Sequence, residues 1–169
     1  LLDEDLLAEV TFLVEHPVAI AGRFDEKYLA LPHEVLVTCM RHHQRFFSLR
    51  RPGGGDDLLA GFLAVINMAG DARGVVRRGN EWVLRARLSD ARFFFDEDRK
   101  IRLETRVESL KSVIYQQKLG TSYEKMERFR ALAEGLAQQL NPAVTTQAAR
   151  AAYLCKGDLV TGMVGEFPE

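Results

Sequence analysis

The sequence predicts an α+β chain, a small α/β module followed by a predominantly helical region, and three observations predict it. Up to about residue 71, short apolar runs bounded by Gly, Pro and Asp alternate with one helix-like stretch. From Asp71 onward the apolar period becomes helical and stays so. The longest such stretch, residues 79–98, carries two complete faces. With 169 residues the chain can bury a core and hold one domain or two small ones. Hydrophobic residues at 47% and charged residues at 28% are ordinary for a soluble globular protein, and no apolar run approaches the roughly 20 residues that cross a bilayer.

Residues 1–10 read as a short acidic helix. Residues 12–14 and 17–21 read as extended segments, and Pro17, with no N–H to donate, suits an edge or a bulge. Pro32 stands where a helix takes its first residue, Leu36, Cys39, Met40 and His43 form the apolar side, and the helix ends near Gln44. Residues 45–49 make a candidate strand, 51–57 with Gly53-Gly54-Gly55 a flexible turn, and 59–66 a second strand.

In residues 79–98, Leu84, Leu88, Ala91 and Phe95 fall at i, i+4, i+7 and i+11, with Val83 and Phe94 widening that side. Arg85, Ser89, Arg92 and Asp96 repeat the spacing on the opposite side, and Trp82 projects among the polar positions as a stacking platform or a domain-contact residue. Leu103, Val107, Leu110 and Ile114 form the next stripe, on a helix that stops at Gly120. Thr121-Ser122-Tyr123-Glu124 is a capping-box pattern, opening a helix whose core face is Met126, Phe129, Ala133, Leu136 and Leu140 and which Asn141-Pro142 breaks. Ala148, Ala152, Cys155, Leu159 and Met163 form a last stripe, alanine-rich enough to pack close to a neighbour. The core is expected at Leu84, Leu88, Phe95, Leu103, Val107, Leu110, Phe129 and Leu136.

The net charge of −1 hides an asymmetry. Residues 1–71 carry 6 basic and 11 acidic side chains, 72–130 carry 15 and 9, and 131–169 carry 2 and 4. The basic middle fits a polyanion surface or a lattice of i,i+4 ion pairs. Arginine's planar fork of donors suits phosphate, which makes Arg73, Arg77, Arg78, Arg85 and Arg92 the candidate RNA-binding residues. His33, Glu34, Cys39, His42 and His43 cluster in sequence, but His33 and His42 are nine apart, on different sides of a helix, and no His-Glu-x-x-His exists, so no metal site is expected. Asp96-Glu97-Asp98 reads as a solvated helix end rather than a hard-cation site. The triple glycine is no phosphate loop, since no Lys-Ser/Thr follows it. Cys39 and Cys155, both among apolar residues, are expected as buried free thiols in a reducing compartment. Neither a basic n-region with an apolar h-region nor an initiator Met opens the chain, so its start is no signal peptide, and both ends read as cuts. Residue chemistry alone assigns no catalytic residue.

The motifs add a resemblance. Gly79-Asn80-Glu81, Val83-Leu84, Ala86-Arg87-Leu88, Asp90-Ala91 and Phe93-Phe94 resemble the central signature of the β subunit of bacterial heterotetrameric glycyl-tRNA synthetase. Further matches flank it in order: residues 18–24 with Leu31-Pro32, Glu34-Val35-Leu36 and His43-Gln44-Arg45-Phe46-Phe47. Arg106-Val107-Glu108, Lys118-Leu119-Gly120-Thr121, Asp158-Leu159-Val160-Thr161, Met163-Val164 and Glu166-Phe167-Pro168-Glu169 follow.

The resemblance implies an internal fragment of that subunit, part of an aminoacyl-tRNA synthetase in the cytoplasm. Residues 1–98 would be an α/β module resembling a tRNA-editing-type domain and ending in the signature helix; 99–169 would begin a helical domain like the HD phosphohydrolases. It further implies tRNA recognition and scaffolding, with the α subunit activating glycine using ATP and Mg. The partners would be that α subunit, tRNA(Gly) and the remainder of the β subunit, with no membrane, and this fragment itself would hold no cofactor and no catalytic residue. The alternative is an incomplete or degenerate hydrolytic module of editing or HD type. An HD metal cluster has no counterpart here, since all four histidines precede residue 44 and none is followed by Asp.

Overall fold

A computed structural model describes residues 3–53 and 57–168, and the chain divides into two units, 1–93 and 94–169. Leu1, Leu2 and Glu169, like Gly54 to Asp56 in the expected glycine turn, lie outside the described residues.

The first unit opens with α1 (Glu4–Thr11), whose Asp3 cap accepts from the Leu6 N–H at 3.0 Å. The expected extended segment after it is instead a turn at Phe12 and Leu13: their N–H groups bond back to the Glu9 and Val10 carbonyls, closing the helix. Strand β1 (Pro17–Arg23) follows, then a 3-10 turn, α2 (His33–Gln44), β2 (Phe47–Arg50), β3 (Leu58–Asn67) and the 24-residue α3 (Val75–Asp98). The sheet order is β1-β3-β2, antiparallel throughout, so Pro17 begins an edge strand as its missing donor requires.

Pairing of Gly22 with Phe62, Ile20 with Ala64 and Val18 with Ile66 sets one face inward. Phe62, Ala64 and Ile66 are buried on it, and the same unit buries Leu6 and Val10 of α1, Leu36, Cys39 and Met40 of α2, and Leu84, Leu88 and Ala91 of α3. Phe46 stacks on Phe62 at 4.4 Å between centroids. Gly22 lies against the Phe62 ring, so any side chain there would displace the ring. Burial pushes the Cys39 thiol up to about 12.

The second unit begins at the end of α3 and continues through α4 (Leu103–Val107), a 3-10 turn, a hairpin of β4 (Ile114–Gln116) and β5 (Gly120–Thr121), α5 (Ser122–Leu140), α6 (Thr145–Leu154) and α7 (Gly162–Glu166). Its core is Val107, Leu110 and Met126, with Tyr123, Tyr153, Leu154 and Val160 packed against them. The capping box forms as expected: the Thr121 N–H donates to Glu124 Oε2 at 2.6 Å and the Glu124 N–H to Thr121 Oγ1 at 3.2 Å.

Five expectations are corrected here. The Leu103–Ile114 stripe is no single helix: Val113, Ile114 and Tyr115, β-branched or aromatic, leave the helical path, and Gly120 with φ 85° closes a hairpin rather than a helix. Ile114 is therefore 71% exposed, and Leu103 is exposed as well. On α5, Met126 and Ala137 are buried and Phe129 and Ala133 half-buried, whereas Leu136 is 58% exposed and Leu140 more so. The side of α5 turned to α6 holds Tyr123, Arg130 and Glu134, and helical spacing puts Met126 and Ala137 with them and Leu132, Leu136 and Leu140 elsewhere. Along the last stripe the helix ends at Leu154, leaving Cys155 and Leu159 exposed. Phe95 is only half-buried.

The fifth correction concerns Asp98, which is not solvated. Its side chain is 16% exposed and pairs with the 13% exposed Arg106 at 2.7 Å. Asp98 Oδ1 also accepts from the Gly162 N–H at 3.0 Å and Oδ2 from the Met163 N–H at 2.8 Å, while Arg106 donates to the Val160 carbonyl at 3.1 Å. Gly162 sits where a Cβ would meet Phe94 at 2.6 Å, so this junction needs glycine.

Two stability measurements by chemical denaturation follow. Leu88→Ala costs about 2–5 kcal/mol, against less than about 0.5 kcal/mol for Leu136→Ala. Asp98→Ala costs about 3 kcal/mol, because Arg106 then keeps a part-buried charge without its partner; a loss no larger than that of the exposed Glu97–Lys100 pair would mean that the junction is not structural.

Candidate nucleic-acid interface

The start of α3 gathers three of the five arginines expected to meet RNA. Gly74, at φ 63°, reverses the chain in the left-handed region, and its backbone N–H donates to the Asp71 carbonyl at 2.9 Å. The Asp71 carboxylate accepts from the Val76 N–H at 3.2 Å and the Arg77 N–H at 2.8 Å, satisfying donors that the first turn of a helix leaves open. These bonds, led by that from Arg77, hold the Asp71 carboxyl below its usual 3.8. Arg78 donates from Nη1 to the Arg73 carbonyl at 3.0 Å. Further along, Glu81 accepts the Arg23 N–H at 3.0 Å and fastens α3 to the end of β1.

Arg73, Arg77, Arg78 and Arg85 are exposed. Among the described residues Arg73, Arg78 and Arg85 form no ion pair, and Asp71, whose charge bears on Arg77, already has its oxygens on backbone donors. Arg92 differs: it is half-buried and engaged with its surroundings, as is Asp96. Arg73 and Arg77 line a cleft of about 340 Å³ with Ile20, Ala21, Asp71 and Gly74, and Arg77 also lines a second cleft of about 770 Å³ with Arg23, Glu26 and Glu81. The lining of both clefts includes no Ser, Thr, His or Cys. The guanidinium groups of such a surface can bind phosphate oxygens. Trp82, the residue after Glu81, is 65% exposed.

The histidine-rich stretch behaves differently. His33 begins α2 and His42 lies in its last turn, about 13 Å away along the axis at a rise of 1.5 Å per residue. Cys39 between them is buried, and no three His, Cys, Asp or Glu side chains gather as metal ligands among the described residues. No described helix is long and apolar enough to cross a membrane.

Sequence reasoning missed a groove in the second unit. Tyr123, Arg130 and Glu134 of α5 and Thr145, Thr146, Ala149, Arg150 and Tyr153 of α6 line about 610 Å³. Arg150 is paired with Glu104, Arg130 lies 3.7 Å from Glu127, and the buried Thr145 Oγ1 has no hydrogen-bond partner. Only the alternation of Tyr, Arg and Glu on the polar side of α5 hinted at it.

The profile of the glycyl-tRNA synthetase beta subunit family matches residues 1–169. The chain belongs to that family. It is 68% identical over 167 residues to the glycine–tRNA ligase beta subunit of Trichlorobacter lovleyi, 64% to that of Geobacter sulfurreducens and 55% to that of Syntrophotalea carbinolica. Each alignment covers 99% of this chain and 24% of the relative, so the chain spans about a quarter of the length of these subunits. Several β-subunit motifs now have structural causes. Arg106 bridges Asp98 and the Val160 carbonyl, the Met163 N–H donates to Asp98, Gly22 lies under Phe62, and the Lys118-Leu119-Gly120-Thr121 run closes the hairpin and caps α5.

The capping role of Asp71 carries a pH dependence. Because its folded-state carboxyl is held below 3.8, its contribution is present above that value and is lost as the pH falls through the lowered one. Asp71→Ala is expected to lower Tm at neutral pH, and the gap from the unmodified chain to narrow as the pH is taken below 3.8; thermal scans across that range measure it.

Proposed function

We propose that this chain supplies tRNA recognition and scaffolding to a glycine–tRNA ligase, and that the α subunit of that enzyme activates glycine with ATP and Mg. The observation that carries the reading is the set of exposed arginines without ion pairs at the start of α3, Arg73 and Arg78 above all, with Arg77 between them and Arg85 further along. Guanidinium groups on a fixed helix end meet phosphates without unfolding anything, and each contact releases counterions from the nucleic acid. The partners in this reading are the α subunit, tRNA(Gly) and the remainder of the β subunit in the cytoplasm. Residues 1–98 act as the α/β module and 99–169 as the start of an HD-like helical domain. The chain itself performs neither aminoacylation nor hydrolysis.

The test is the salt dependence of binding to tRNA(Gly). Arg73→Ala/Arg77→Ala is expected to flatten the slope of log K against log salt by about 2, one for each phosphate contact removed. Arg85→Ala/Arg92→Ala is measured beside it for both affinity and Tm. Lost stability with unchanged affinity would remove that pair from the interface, and an unchanged slope in both variants would overturn the RNA-binding role.

A further inference from the structure

Helix α3 has a second apolar face that the chain's own core does not use. Val75, Gly79, Trp82, Ala86 and Phe93 fall at i, i+4, i+7, i+11 and i+18, one stripe about 27 Å long at 1.5 Å per residue, on the side away from Leu84, Leu88 and Ala91. All five are exposed, Trp82 at 65%. A Trp so placed, flanked by two small residues one helical turn away on either side, has the relief of a helix-packing seam: a ridge beside shallow hollows.

Gly79 supports the same conclusion independently. It lies inside a helix, where glycine weakens the fold relative to alanine, and a Cβ built on it would meet nothing within 4 Å. This chain's own packing therefore gives no reason for a glycine there, whereas a backbone passing closely over the helix would. The edges of the stripe carry opposite charge, Arg78 and Arg85 on one side and Asp90 on the other. The relatives' subunits are about four times as long as the part this chain represents, so most of their polypeptide lies outside it.

We propose that the Val75–Phe93 stripe seats an amphipathic α-helix from that remaining part of the β subunit, its apolar ridge against Gly79, Trp82 and Ala86 and acidic residues along the Arg78–Arg85 edge. This goes beyond the RNA-binding reading, which rests chiefly on Arg73, Arg77 and Arg78 at the helix start. Arg78 and Arg85 are the residues over which a carboxylate of the seated helix and an RNA phosphate would compete.

Trp82 is the only tryptophan in the chain and serves as the probe. Acrylamide quenching of its emission is compared in two proteins: the 169-residue chain, and a chimera in which this chain replaces the matching quarter of the Trichlorobacter lovleyi subunit with every other Trp changed to Phe. The quenching constant is expected to fall severalfold in the chimera alone, without α subunit or RNA. An unchanged constant overturns the proposal. So does a fall that appears only on adding α subunit, only on adding tRNA(Gly), or in the 169-residue chain itself as its concentration rises; these outcomes assign the stripe to another subunit, to RNA stacking or to a second copy.

Gly79→Leu gives a second readout. It is expected to leave the Tm of the 169-residue chain unchanged or higher and to lower that of the chimera by several degrees; equal effects in both overturn the seat. None of these outcomes depends on whether Arg73 and Arg77 bind RNA, so the two readings fail separately.

Discussion

The carboxylate of Asp98 holds the second unit together. One side chain takes an ion pair from Arg106 and two backbone N–H groups from Gly162 and Met163, so the end of α3, helix α4 and the start of α7 converge on two oxygens. Oxygens so far from water need several donors, and a guanidinium with a free N–H for the Val160 carbonyl provides the remaining contact. The core of Val107, Leu110 and Met126 is small for 76 residues of chain, so the polar junction bears a larger share of the ordering than in the first unit.

Parts of this were legible in the sequence because they are local. The stripe of Leu84, Leu88 and Ala91, the edge position of Pro17, the span of α2 and the Thr121–Glu124 capping box each follow from spacing within a few residues, and the structure has them. Asp98 was misread for the opposite reason: within the run Asp96-Glu97-Asp98 nothing distinguishes the third acid from the first two, and its partners stand 8 and 64 residues away. The hairpin was lost because Leu103, Val107, Leu110 and Ile114 satisfy a helical period by chance of spacing, while the β-branched Val113 and Ile114 and the positive φ of Gly120 decide the path. Leu136 is a different kind of miss. It shares a helical face with Phe129 and Leu140, but periodicity tells which residues share a face and not whether a neighbour covers it.

The candidate interface shows the same division. Composition placed the basic excess in residues 72–130, and the fold sorts its members by local chemistry. Glu97 takes Lys100, Glu108 takes Lys111, Glu104 takes Arg102, and Arg106 is consumed by Asp98. Among the described residues Arg73 and Arg78 form no ion pair: Asp71, the acid nearest Arg73 in sequence, is spent on the helix N-terminus, and Glu81, the acid nearest Arg78, accepts the Arg23 N–H. A capping carboxylate thus sets how much positive charge the surface presents.

The fates of the two cysteines also give the chain a pair of independent reporters. Cys39, sealed in the first unit with its thiol held protonated, is silent to alkylating and disulfide reagents in the native state, while Cys155 stands open in the second unit. The lone indole belongs to the first unit and the lone reactive sulfur to the second. Melting of one unit is followed by intrinsic emission and of the other by a single dye on sulfur, with no engineered residue, so the cooperativity between them is measurable in the unaltered polypeptide.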